Sequence, residues 1–244
     1  MTRAEIIAVK SLSDKRARTE SGLFVVEGAK LTGEILASTL RVRKIYTTGD
    51  LFTESGAERI STKEMQRITS LKTASDVLAV VEIPSTALEP SRLANSLVLA
   101  LDGVSNPGNL GTLIRTADWF GISDILCSED SADCFNPKVV QATMGAITRV
   151  RVHYVELAST LSTLSAAGSP IYGTFLDGEN IYEARLSAAG VIVVGSEGDG
   201  IREQVAATVS RRLFIPPYPA GRHGSESLNV AIAAAITCSE FRRR

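Results

Sequence analysis

The chain has 244 residues, 44% of them apolar and 22% charged, and a formal net charge of −1. That size and composition suit a globular protein of two domains and exclude a chain that spans a membrane, because runs such as Val191-Ile192-Val193-Val194 are far too short. They also exclude a globally basic nucleic-acid binder, so any contact with RNA must come from local clusters of Lys and Arg.

Along the first third, short apolar runs alternate with amphipathic stretches. Leu23-Phe24-Val25-Val26 reads as a strand, Gly28 to Leu36 as a helix, Lys44-Ile45-Tyr46 as a strand, Lys63 to Ser70 as a helix and Val77 to Ile83 as a strand. This predicts a small α/β domain. It carries two basic clusters, Lys10, Lys15, Arg16 and Arg18, then Arg41, Arg43 and Lys44, each a candidate RNA contact or an ordinary solvated surface. Pro84 and Pro90, among small polar residues, mark a boundary and divide the chain into domains 1–88 and 89–244.

Beyond it, Leu97-Val98-Leu99-Ala100-Leu101 has no polar alternation, as expected of a parallel strand covered on both faces. A helix follows from Pro107 to Phe120, capped by Asn106, with Leu110, Leu113, Ile114 and Ala117 as its buried stripe and Gly121 as its stop. Further strands are predicted at 124–127, 150–155, 171–175, 191–194 and 212–215, then a small-residue helix from Leu228 to Phe241. Strand–helix alternation of this kind predicts a parallel sheet wrapped by helices, an α/β fold.

Three turns follow predicted strands, at the sheet edge where ligands bind. They are Asp102-Gly103-Val104-Ser105-Asn106-Pro107-Gly108-Asn109, Gly195-Ser196-Glu197-Gly198-Asp199-Gly200, and the stretch from Pro216 to Ser227-Leu228-Asn229-Val230. None is a G-x-G-x-x-G fingerprint or a phosphate loop, which counts against a dinucleotide-binding oxidoreductase and a P-loop NTPase. The histidines, His153 and His223, have no partner at metal-ligand spacing, so no metal is expected. His153 reads as structural, His223 as a candidate RNA contact and Trp119 as a packing residue. Cys127, Cys134 and Cys238 form no C-x-x-C pair, and the N-terminus has no export signal. Reduced thiols and a cytoplasmic location are expected.

Together, Asn109-x-Gly111-x-x-x-Arg115, Gly195-Ser196-Glu197-Gly198-x-Gly200 and Ser227-Leu228-Asn229-Val230 resemble the three motifs of the SpoU (TrmH) family of RNA 2′-O-ribose methyltransferases, in the SPOUT superfamily. The match covers about residues 97–241; residues 3–82 resemble the RNA-binding domain often found ahead of it. The resemblance implies a trefoil knot in the C-terminal segment, a homodimer with the active site near its interface, and methyl transfer from S-adenosylmethionine, bound as a substrate, to a ribose 2′-hydroxyl. The RNA would be ribosomal in preference to tRNA. A non-catalytic RNA-binding assembly factor on the same fold is the alternative.

The resemblance places Arg115 at the reacting hydroxyl, with Asn109, Glu197, Ser227 and Asn229 as the other polar active-site positions. A guanidinium does not give up its proton, so electrostatic stabilisation or a hold on the adjacent phosphate suits Arg115 better than general-base work. Glu197 would accept from the ribose or orient Arg115, or else is simply an acid at a helix start; Ser227 and Asn229 would alternatively be helix caps. Gly195, Ile215 and Leu228 are the implied cofactor positions, with Thr174 and Leu176 lining the pocket. The stretch 216–226 is longer than the compact version common in the family.

Overall fold

The computed structural model describes residues 1–219 and 226–243. His223 lies outside the described residues. In chain order the elements are α1 (Arg3–Ser11), α2 (Lys15–Ser21), β1 (Leu23–Glu27), α3 (Ala29–Leu36), β2 (Val42–Thr47), β3 (Glu58–Arg59), α4 (Thr62–Ile68) and β4 (Val77–Glu82). There follow α5 (Pro90–Ala94), β5 (Leu97–Leu101), α6 (Pro107–Trp119), β6 (Asp124–Ser128), α7 (Pro137–Thr143), β7 (Arg151–Val155) and α8 (Leu157–Ala166). The last are β8 (Ile171–Phe175), β9 (Glu179–Asn180), β10 (Gly190–Val194), α9 (Glu203–Ala206), β11 (Arg211–Phe214) and α10 (Val230–Arg243).

Two compact units result: Met1–Ser85 together with Asp133–Thr148, and Thr86–Ala132 together with Arg149–Arg244. The first is built on a sheet of order β1-β4-β2-β3, with β4 antiparallel to both its neighbours. Capping boxes start two of its helices, Thr2 with Glu5 at α1 and Ser61 with Glu64 at α4. Those helices pack together and bury Ile6, Val9, Met65 and Ile68 against Val25, Leu78 and Val80. Residues 133–148 belong to this unit because Phe135 packs on Phe24, with ring centroids 4.8 Å apart, and Gln141 Nε2 donates to the Glu27 carbonyl at 2.7 Å. A single cut at residue 88 does not anticipate that return of the chain.

The same segment corrects the reading of Arg18. Its side chain is 2% exposed, donates from Nε to Asp133 Oδ2 at 3.0 Å and from Nη1 to the Leu12 carbonyl at 2.8 Å. A guanidinium buried and neutralised in this way offers no charge to RNA. The other three remain at the surface: Lys15 is exposed, Arg16 pairs with Glu20 at 2.6 Å, and Lys10 Nζ donates to the Thr69 carbonyl at 2.7 Å.

The second unit holds a parallel sheet of seven strands, in the order β7-β6-β5-β10-β8-β11-β9. Strands β5, β6 and β10 are buried at every position; β5 and β10 are the unbroken apolar runs this requires, and β6 also buries Asp124 and Ser128 at its ends. On one face Val98, Ala100, Val191 and Val193 meet Leu157, Leu161 and Leu164 of α8. Helix α6 is capped by Asn106, whose Oδ1 accepts from the Gly108 and Asn109 amides, and it buries the expected stripe. His153 is buried with Nε2 3.0 Å from Asp124 Oδ1, a structural role as expected. Cys127, Cys134 and Cys238 are free and buried. No helix among the described residues is long and apolar enough to cross a membrane.

Candidate active site

The strand order decides where the three turns meet. Strands β5, β10, β8 and β11 are consecutive neighbours and run parallel, so the turns that follow β5, β10 and β11 leave the same edge of the sheet. The first and second are adjacent at their roots, where Val194 pairs with Leu101 and the Asp102 amide donates to the Val194 carbonyl at 2.9 Å. Segments about a hundred residues apart in sequence thus converge.

Asn229 joins all three. Its Nδ2 donates to Asn109 Oδ1 at 3.1 Å and, in a short hydrogen bond, to Glu197 Oε1. Its Oδ1 accepts from the Ala231 and Ile232 amides at 3.0 and 3.4 Å, capping α10. The capping role and the site role therefore coexist in one side chain. Glu197 does not start a helix; it sits in the tight turn closed by reciprocal Ser196–Gly200 backbone hydrogen bonds of 3.1 Å, and α9 begins only at Glu203. Its hydrogen-bond partner is Asn229, and no hydrogen bond or ion pair joins it to Arg115 among the described residues.

Beside this junction lies a cavity of about 1160 Å³. Gly195, Ile215, Leu228, Thr174 and Leu176 all line it, as do Glu197 and Ser227. Thr174 Oγ1 donates to the Val193 carbonyl at 3.3 Å, which fixes that wall. A smaller cavity of about 260 Å³ adjoins it, lined by Ser105, Asn106, Asn109 and the shared turn 196–199. The glycine at 195 serves the turn itself: a Cβ there would lie 2.0 Å from the Gly200 carbonyl carbon, so any side chain would force the turn open.

The chemistry of the larger cavity is lopsided. Ile181, Leu176, Ile215, Leu228 and Ile236 make its walls apolar, and Asp177, Glu197, Asp199 and Glu226 add four carboxylates, of which Asp177 is neutralised by an ion pair with Arg212. No Lys, Arg or His lines it among the described residues. Such a cavity disfavours nucleotide phosphates and suits a ligand of net positive charge with apolar surface. S-adenosylmethionine, whose sulfonium and ammonium outweigh its one carboxylate beside a flat adenine, fits that donor set. The carboxylates at 177, 199 and 226 were not among the residues singled out by motif; an excess of acid in turns at one sheet edge was the signal. Among the described residues no group of three His, Cys, Asp or Glu is placed to hold a metal.

Arg115 is exposed on α6 and lines neither cavity, and it has no hydrogen-bond or ion-pair partner among the described residues. The single chain thus does not bring it to the Asn109–Asn229–Glu197 junction. It shares its ridge with Thr112 and Trp119, at helical spacing. Trp119 is 84% exposed and packs in no core, contrary to the expectation from sequence, because it falls on this outer face of the helix.

Comparison with known proteins gives the same picture. Residues 96–239 match the SpoU rRNA Methylase family and residues 3–82 match the MRM3-like substrate binding domain. A Bacillus subtilis relative, the 23S rRNA (guanosine(2553)-2′-O)-methyltransferase RlmP, is 33% identical over 96% of this chain and 94% of its own length. Among solved structures, a putative RNA methyltransferase of the TrmH family from Porphyromonas gingivalis superimposes with a TM-score of 0.90 at 41% identity, covering 100% of this chain and 98% of that one. An AdoMet-bound rRNA methyltransferase from Sinorhizobium meliloti gives 0.87 at 27% identity, over 100% and 95%.

Proposed function

The chain belongs to the SpoU rRNA methylase family, and from that membership we propose that it transfers a methyl group from S-adenosylmethionine to a ribose 2′-hydroxyl of ribosomal RNA. The observation that carries the reading is the junction of Asn109, Asn229 and Glu197 beside a carboxylate-rimmed cavity free of basic side chains among the described residues. When bound, the cofactor supplies an electrophilic methyl on a sulfonium. The walls at Ile215, Leu228, Thr174 and Leu176 hold and orient it, and the rim carboxylates balance its charge. Asn229 fixes Glu197 through Oε1 and leaves Oε2 to accept from the ribose hydroxyl. Arg115, always protonated, stabilises oxyanion character or holds the neighbouring phosphate.

Because Arg115 stands outside both cavities of the single chain, the proposal includes a homodimer that completes the site. The exposed Trp119 on α6 and the half-exposed Ile232 on α10, helices that pack together, supply apolar surface for it. The knotted path of the C-terminal segment and a cytoplasmic location belong to the same proposal. Incubating the chain with S-adenosylmethionine and ribosomal RNA, with tRNA in parallel, tests the reading by mass spectrometry of nuclease-digested product. A methylated sugar that protects the following phosphodiester from alkali is expected. A base-methylated nucleoside overturns it.

Lys10, Lys15 and Arg16 are the proposed ionic contacts of the N-terminal unit with RNA. Replacing all three by alanine is expected to weaken RNA binding and to reduce the slope of log affinity against log salt by about one unit for each phosphate no longer neutralised. Binding isotherms at several salt concentrations measure it. An unchanged slope removes these residues from the interface.

A further inference from the structure

Asp102 is the first residue after β5, and its side chain is fully buried. A carboxylate taken out of water is costly unless it is paired and hydrogen-bonded. Arg202 supplies the pairing from both its backbone and its side chain: the amide donates to Asp102 Oδ2 at 2.8 Å, Nε donates to Oδ1 at 2.7 Å, and Nη2 makes a further short bond to Oδ1. The outer edge of the same guanidinium reaches Asp130, with Nη1 3.0 Å from Oδ2. Its plane is therefore held from two sides.

The position of Arg202 gives this pairing its consequence. It lies immediately beyond the turn that carries Glu197, and the other end of that turn is the end of β10, tied to Asp102 through the Val194 carbonyl. Asp102 thus grips the turn at its entry by backbone and at its exit through Arg202. Within, the Ser196–Gly200 hydrogen bonds and the Asp199 amide, which donates to Ser196 Oγ at 3.0 Å, leave Glu197 at the tip of a closed loop facing Asn229. Neither Asp102 nor Arg202 lines either cavity. We propose that Arg202 and Asp102 are a positioning pair for methyl transfer, acting through the 195–201 turn to keep Glu197 at the Asn109–Asn229 junction. The role rests on the proposed methyltransferase reading, since it is Glu197's part in that reaction that is positioned.

The test uses the full chain. Arg202→Ala is expected to lower kcat by about tenfold to a hundredfold, the cost of a small misplacement of a reacting group, and Arg202→Lys by less, because the charge and the backbone bond survive. In a Glu197→Gln background the same Arg202→Ala change is expected to shift kcat by less than about twofold, since its effect runs through Glu197. Additive losses would assign the pair a merely structural role and overturn the proposal. Amide hydrogen exchange supplies a readout independent of turnover: residues 195–201 should lose protection in Arg202→Ala, and in Arg202→Lys if the alanine variant does not fold, while β5 and β10 keep theirs. Unchanged protection of the turn overturns the proposal whatever the chemistry. A wild-type chain that binds S-adenosylmethionine but methylates no RNA overturns the methyltransferase reading instead, with the protection result unaffected.

Discussion

Replacing Arg115 by alanine is expected to lower kcat for methyl transfer by a factor of about 10²–10³, the usual cost of removing one preorganised donor at a developing oxyanion. Binding of S-adenosylmethionine, measured by calorimetric titration, should stay within about twofold, because this side chain lines neither cavity. Stability should also hold, since the guanidinium is exposed and no described residue depends on it. An unpartnered arginine on a ridge with an exposed tryptophan has no structural work to do within one chain. Arg115→Lys separates its two proposed roles. A lysine keeps the point charge but loses the planar fork, so a large residual activity favours electrostatic stabilisation and a near-complete loss favours bidentate grip of a phosphate. Near-normal turnover in Arg115→Ala would remove the residue from the reaction.

Much of the catalytic unit is legible in the sequence because its signals are local. A strand buried on both faces announces itself as an unbroken apolar run, and those at Leu97 and Val191 fall where the runs predict, as do the more mixed strands at Asp124 and Ile171. The first two turns follow such runs; the third follows Arg211–Phe214, which is not one, and is marked by its Ser227-Leu228-Asn229-Val230 motif instead. Of what escapes the sequence, the helix starts are local and the rest is non-local. The charged stretch around Lys10 to Arg18 forms two helices, and the capping pair of Thr2 and Glu5 and the cap at Asp14 were the missed signals. No local pattern shows that Arg18 finds Asp133 across 115 residues, so a buried ion pair resembled a surface cluster. Helix α10 starts at Val230 rather than Leu228 because Asn229 takes the capping role its residue type allows. The carboxylate rim emerged only when the strand order placed the turns side by side.

The largest loss of stability is expected far from the junction, at Asp124. This carboxylate opens β6 and is 2% exposed, with Arg151 donating to both its oxygens at 2.9 Å, Arg92 at 3.0 and 3.3 Å, and His153 at 3.0 Å. Burial by itself would raise its pKa, but the hydrogen bonds from His153, Arg151 and Arg92 together outweigh it and hold the group well below the usual carboxylate range. A depressed carboxylate contributes stability that is complete above its unfolded value, near 3.8, and is lost as pH falls toward the folded value. The wild-type chain should therefore keep this contribution throughout the neutral and mildly acidic range. Asp124→Ala removes the buried carboxylate that two guanidiniums and a buried imidazole share; Arg92 keeps its ion pair with Glu89 at 3.2 Å, and Arg151 loses its hydrogen-bonded anion. Both guanidiniums are about a third exposed and can be hydrated, so the cost is expected to be about 1.5–3 kcal/mol, that of losing hydrogen bonds to a charged group. Urea unfolding at pH 7 measures it as a fall in midpoint without change of slope. The gap between variant and wild type should narrow at a pH low enough to protonate Asp124 in the folded state. A loss below about 1 kcal/mol at pH 7 would mean that water and Glu89, rather than Asp124, neutralise these cations.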